Sequence, residues 1–131
     1  MINRLTDTLQ FQTQALALRS ERQRLIASNI ANADTPGYVA RDFDFASALR
    51  DASQAAATQG APGGAGLRRS SADLALRYAA PAQTNLDRNT VDMDRERASF
   101  ADNSVKYEAT LRFINRSVRS MLDAMKGPNQ P

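Results

Sequence analysis

Apolar positions recur along this chain with two different periods, and the points where the period changes divide it. From the N-terminus, Leu5, Leu9, Leu16, Ile26, Ile30 and Ala33 follow steps of three and four, with Gln12, Arg19 and Gln23 on the same stripe. That spacing predicts an amphipathic helix over residues 1–33. Phe11, Ala15, Leu18 and Leu25 widen one side of the stripe, so this helix can bury two adjacent faces. A second stripe runs through Met93, Arg97, Phe100, Ser104, Tyr107, Leu111, Ile114, Val118, Met121 and Met125. It predicts a helix over 89–126, with Asn89 or Thr90 as its cap and Asp92, Asp94 and Glu96 in its first turn. Arg112, Arg116, Arg119 and Lys126 set positive charge toward its C-terminal end, where Gly127 and Pro128 stop it, leaving a tail over 127–131.

Between the stripes the period shortens. Val39, Arg41, Phe43 and Phe45 alternate with Ala40, Asp42 and Asp44, which predicts a short extended segment with Phe43 and Phe45 turned inward. Asp44 can cap a short helix from Phe45 to Ala57, completing a segment over 34–57. Residues 58–66 read as a flexible Gly/Ala/Pro loop, and 67–88 as an irregular segment. Within the latter, Leu74, Leu76 and Tyr78 alternate and could pair with the segment after Gly37, with Pro81 as the stop. The expected fold is mainly α: long antiparallel N- and C-terminal helices in a coiled-coil-like hairpin, with a small irregular or β middle segment.

The stretch from Ser28 to Tyr38 turns the chain. Pro36 lacks an amide hydrogen and biases Thr35 away from the helical region, so the first helix should end before it. Thr35-Pro36-Gly37-Tyr38 reads as a type II turn, with Gly37 supplying a positive φ at its third position. Asn29, Asn32 and Asp34 can bond backbone groups left free at the helix end. Physics alone makes this a helix stop, with no chemistry attached.

The run Asn29-Ile30-Ala31-Asn32-Ala33-Asp34-Thr35-Pro36-Gly37-Tyr38, followed by Val39-Ala40-Arg41-Asp42-Phe43-Asp44-Phe45, resembles the N-terminal signature of bacterial flagellar basal-body rod proteins. The likeness is nearest to the proximal-rod, subunit-B type. Leu86-Asp87-Arg88-Asn89-Thr90-Val91-Asp92 resembles the stretch that precedes the C-terminal helix in that family, with Arg88 where the pattern usually has Gly. The resemblance covers about residues 1–50 and 84–126 and implies a helical tube built from such hairpins. It further implies export through the flagellar type III apparatus without a cleaved signal, and a place in the periplasmic rod of the basal body. As partners it implies neighbouring copies, other rod subunits and the membrane-ring adaptor.

Composition narrows the alternatives. The chain of 131 residues is 42% hydrophobic, but aromatics are only 6% and Trp is absent, so a wide core is not expected. The absence of Cys and His excludes disulfides, thiol nucleophiles, Ser-His-Asp relays and the usual zinc ligand sets. Asp42 and Asp44 stand two apart without a third acid nearby, and read as a solvated strand face. Gly66 leads into Leu67-Arg68-Arg69-Ser70, which is not a phosphate-binding loop. No enzyme, cofactor or small-molecule substrate is therefore expected. The pI of about 9.8 raises a basic helical nucleic-acid-binding protein as the alternative function, yet both signs of charge are interleaved along the chain. Two narrow helices also leave Phe11, Leu18, Leu25, Val105, Phe113 and Leu122 beside their seams, in need of a further surface. An assembly component follows. Its expected assembly residues are Leu5, Leu9, Leu16, Leu18, Ile26, Ile30, Phe100, Tyr107, Leu111, Phe113, Ile114, Val118 and Met121.

Overall fold

The computed structural model describes residues 2–59, 77–78 and 88–128. Helix α1 (Ile2–Ala31) and helix α3 (Met93–Lys126) lie antiparallel: Asn29 meets Glu96 at one end, and farther along Gln23 meets Ser104. Helix α2 (Phe45–Gln59) folds back along α1, joined to it by Ser53 Oγ donating to Gln14 Oε1 at 3.4 Å. Among the described elements α3 packs against α1 alone, whereas α1 packs against both other helices. The wide apolar face predicted for α1 is thus used within the chain.

Two short strands form the β part. Strand β1 (Arg41–Asp42) pairs antiparallel with β2 (Arg77–Tyr78), Arg41 opposite Tyr78. This is the pairing expected after Gly37, although Leu74, Leu76 and Pro81 lie outside the described residues, as do 60–66 of the predicted loop and 67–76 beyond it. Asp44 caps α2 as expected, its Oδ1 accepting from the amides of Ala46 at 3.1 Å and Ser47 at 3.4 Å.

Three local expectations are corrected. Helix α3 begins at Met93 rather than 89, and its cap is Asp92, whose carboxylate accepts from the Asp94 and Arg95 amides. The reason is that Asn89 and Thr90 spend their side chains across the turn instead. After Gly37 the inward residues are Ala40 and Phe43, while Val39 is exposed. There Ala40 N–H donates to Thr90 Oγ1 at 3.0 Å and Thr90 N–H to the Tyr38 carbonyl at 3.0 Å, so tertiary bonds override the alternation. Phe45 is only half-buried, lying under the Arg19 guanidinium at 4.2 Å from its ring centre.

The third correction concerns the seam. The α3 positions most deeply buried against α1 are Glu96, Asn103 and Thr110, spaced by seven residues, while Ser104, Tyr107, Ile114 and Met121 of the predicted stripe are half-buried beside them. Phe100, Leu111, Val118 and Met125 from that stripe are exposed. Polar side chains on α1 decide this: Asn103 Nδ2 donates to the Arg19 carbonyl at 2.9 Å and to Gln23 Oε1 at 2.8 Å, while Gln23 Nε2 donates to Ser104 Oγ at 2.9 Å. The apolar core, Leu25, Ile26, Ala40, Phe43 and Val91, gathers at the turn end, with Ala15 alone farther out. The hairpin is closed at one end and bare at the other.

Arg88 has φ of 60°, the left-handed region that costs a side-chain-bearing residue about 1–2 kcal/mol. This is the position at which the resembling pattern carries Gly. Arg88→Gly is expected to raise unfolding free energy by about 1 kcal/mol in urea titrations, while Arg88→Ala leaves it nearly unchanged.

Candidate functional site

The end of α1 leaves backbone carbonyls without helical partners, and the following turn adds another. One buried side chain takes up three of them. Asn89 Nδ2 points at the carbonyls of Asn32, Ala33 and Thr35 at 2.8, 2.9 and 2.7 Å, and Asn89 Oδ1 accepts from the Val91 amide at 2.8 Å. With two hydrogens facing three acceptors, one bond is shared, and the carboxamide is wholly enclosed at 0% exposure. It holds the first helix, the turn and the approach to α3 together.

A second carboxamide does the same on the facing side. Asn29, 1% exposed, donates from Nδ2 to the Arg41 carbonyl at 2.9 Å and to Glu96 Oε1 at 3.3 Å. Its Oδ1 accepts from the Arg41 amide at 3.0 Å and the Tyr38 hydroxyl at 3.1 Å. Asn29 thus pairs with Arg41 as a neighbouring strand would, which bonds α1 to β1. Asn32 Nδ2 donates back to the Ser28 carbonyl at 2.8 Å, and its Oδ1 accepts from Thr35 Oγ1 at 3.2 Å. Gly37 takes φ of 72° and Tyr38 N–H reaches the Thr35 carbonyl at 3.3 Å, as the turn reading requires. Asp34, Thr35 and Pro36 are exposed at its rim.

Glu96 is the carboxylate drawn into this knot. Burial pushes its pKa up, the bond from Asn29 pulls the other way, and the neighbouring Asp42 adds to the rise. The folded state therefore holds this proton more tightly than the unfolded one, and ionising Glu96 opposes folding. Stability from this group is gained as pH falls through the window between its raised value and the ordinary one of 4.5.

Beside the seam, α1 and α3 enclose a cleft of about 420 Å³ lined by Ser20, Gln23, Arg24, Tyr107, Glu108 and Leu111. Arg24 is bound to Glu21 at 2.6 Å and Glu108 to Arg112 at 2.8 Å, so each charge at the rim is engaged along its own helix. Asp42 and Asp44 do not form a carboxylate pair. Asp42 meets Arg22 at 3.4 Å while Asp44 serves as a cap, and among the described residues no cluster of acids is placed to hold a metal ion.

The expected assembly residues separate by burial. Ile26 is buried; Leu5, Leu9, Leu16, Leu18, Ile30, Tyr107, Ile114 and Met121 are half-buried; Phe100, Leu111, Phe113 and Val118 are exposed. Sequence reasoning missed Asn89, Glu96, Asn103 and Thr110 as one row. Their seven-residue spacing was the available signal, hidden because the apolar stripe beside them has almost the same period.

An antiparallel hairpin whose turn is locked by buried asparagines, with apolar side chains left along its outside, defines a helical assembly subunit. The model of the family "Flagella basal body rod protein" matches residues 9–38, from the second turns of α1 through Tyr38. The chain is 45% identical to flagellar basal body rod protein FlgB of Proteus mirabilis strain HI4320, over 96% of this chain and 98% of that one. It is 44% identical to FlgB of Salmonella typhimurium and 45% to FlgB of Escherichia coli K12, each over 98% of this chain and 100% of the relative. The chain belongs to the FlgB family of flagellar basal body rod proteins.

Two substitutions test the knot. Asn89→Asp keeps the shape but turns a donor into a carboxylate facing three carbonyls, and is expected to cost at least about 3 kcal/mol in denaturant unfolding. Glu96→Gln keeps an oxygen for Asn29 and removes the buried charge. It is expected to raise stability at pH 7 and to remove the gain that the wild-type chain shows on acidification toward 4.5.

Proposed function

We propose that this rod protein is a structural subunit of the proximal rod that joins its neighbours through the outer faces of α1 and α3, building a helical tube. The observation that carries the proposal is the exposed apolar surface of α3, with Phe113 56% exposed and Leu122 52% exposed on a helix that packs, among the described elements, against α1 alone. Apolar side chains left in water on a long helix favour burial against another surface. The polar seam adds to this, because Asn103 and Ser104 bond across it to α1 and fix the register of the hairpin while contributing little apolar burial.

Neighbouring copies, other rod subunits and the membrane-ring adaptor are the partners in this reading. The chain reaches the periplasmic part of the basal body through the type III export apparatus. Weak intramolecular pairing of the terminal helices suits passage in an unfolded state and ordering on arrival. No helix among the described residues is long and apolar enough to cross a membrane. The nucleic-acid alternative rests on charge alone, and the enzyme reading on no arrangement of residues.

Three variants at equal expression and export test the reading by rod assembly and motility. Phe113→Glu is expected to reduce incorporation into rods by at least about tenfold while the purified chain keeps its helix content, since a carboxylate in that contact is desolvated without a partner. Leu18→Glu is expected to act in the same direction, with added loss of stability because α1 also carries α2. Asp42→Asn with Asp44→Asn is expected to assemble normally, because Asn also caps helices well. Normal rods with Phe113→Glu and none with the double Asn variant would move the interface to the middle segment.

A further inference from the structure

Helix α2 rests on α1 lightly. Phe45 meets Arg19 and Ser53 meets Gln14, which fixes the stripe of α2 that faces α1 as Phe45, Ala48, Leu49, Ala52, Ser53 and Ala56. All six are half-buried, and no residue over 45–57 is fully buried. Only Phe45 and Leu49 of the stripe are large and apolar, so the contact removes little surface from water. Its polar contacts are long. Ser53 Oγ reaches Gln14 Oε1 at 3.4 Å while also donating to the Leu49 carbonyl, and Arg22 meets Asp42 at 3.4 Å just ahead of the helix. Beside the first turn of α2, Arg19 Nε and Arg22 Nε are buried without a hydrogen-bond partner among the described residues, which is a cost of the docked position. Among the described elements α2 packs on α1 alone, and a helix of 15 residues is marginal in water by itself. Its N-terminal end is nevertheless tethered, because Asn29 holds both backbone groups of Arg41.

The α1 stripe beneath is Phe11, Gln14, Leu18 and Arg22. Gln14 and Arg22 touch the middle segment directly, Leu18 lies one turn from each, and Phe11 continues the stripe at 45% exposed.

We propose that α2 is a hinged cover over the Phe11–Leu18 face of α1, closed in the free subunit and displaced when a neighbouring subunit takes that face, while the joint at Asn29 and Asn89 stays shut. The proposal rests on the rod reading above and names the regulation of one of its surfaces. A tethered helix meets the face at high effective concentration, so solitary chains stay covered even by a weak contact. A stripe made largely of alanines then yields to an incoming helix with larger apolar side chains, which gains more from the same face. The cover thus opposes contact between scattered subunits without opposing a growing assembly.

The chain has no cysteine, so Gln14→Cys with Ser53→Cys supplies two thiols that a short bis-maleimide with a reducible core joins across the α1–α2 contact. Hydrogen exchange and sedimentation of the full chain compare this locked sample, the same sample after reduction, and Leu49→Asp, which places a carboxylate on the inner stripe. In the wild-type chain, amides from Leu49 to Ser53 should exchange at least about tenfold faster than that of Arg41, and Leu49→Asp should speed them at least about tenfold more with Arg41 unchanged. Locking should raise the dissociation constant for self-association at least about tenfold above that of the reduced sample, and Leu49→Asp should lower it at least about threefold below wild type.

Exchange in α2 as slow as at Arg41 overturns the proposal. So do locked and reduced samples that associate equally, including two samples that both stay monomeric to about 1 mM. Tighter association of the locked sample would make α2 part of the contact and overturns it as well. The rod reading is judged separately by Phe113→Glu in assembled rods, on a helix that α2 does not touch, so either can fail alone.

Discussion

The carboxamide of Asn89 is the contact on which the rest of the hairpin depends. A helix that ends in a tight turn must leave carbonyls unpaired, and burying them without donors costs about 1–3 kcal/mol each. Here the Asn32 and Thr35 carbonyls each accept one amide within the turn, and the remaining donor, for these two and for Ala33, comes from a residue far along the chain, just ahead of α3. The turn is therefore not finished until the C-terminal part of the chain arrives. Asn29 closes the other side by bonding both backbone groups of Arg41. The two asparagines make one polar joint between the terminal helices, and the apolar core of Leu25, Ile26, Phe43 and Val91 forms around it.

Away from the joint the packing changes in kind. Seam positions on α3 pass from Glu96 to Asn103 to Thr110, and the partners offered by α1 include a backbone carbonyl and Gln23. Such contacts specify register but bury little apolar surface, and Phe100, Val105, Leu111, Phe113, Val118, Leu122 and Met125 of α3 stay exposed while Tyr107, Ile114 and Met121 are half-buried. A subunit of this form has a firm fork and two arms that keep apolar surface exposed. In the proposed reading of this member of the basal body rod family, the fork sets geometry and the arms meet neighbours.

Much of the architecture was legible in the residues. The long amphipathic stripes marked α1 and α3, Pro36 and Gly37 marked the turn, and Asp44 marked the start of α2, because each is a local effect of backbone geometry. The β1 pairing was visible in the alternation around Tyr78. What could not be read locally was the use of polar residues over distance. Asn29 and Asn32 look like helix-stop residues in isolation, and only the approach of Arg41 and Asn89 shows that Asn29 is a long-range joint. Asn89 and Thr90 likewise look like caps until the turn claims them and leaves that task to Asp92. The seam was legible only in part for a related reason: Tyr107, Ile114 and Met121 of the apolar stripe lie along it, but its most buried positions are polar, and Phe100, Leu111 and Val118 face outward.

Native-state hydrogen exchange of the purified monomer measures the difference between the joint and the arms directly. The amides of Ala40, Arg41 and Thr90, each bonded across the joint, and that of Val91, held by the buried Asn89 side chain, should exchange only through global unfolding, whereas amides from Arg112 to Lys126 should exchange at least about a hundredfold faster. Protection of the C-terminal half of α3 equal to that of the joint in the monomer, or rapid exchange at Arg41 and Val91, would contradict a subunit locked at its turn and unfinished along its arms.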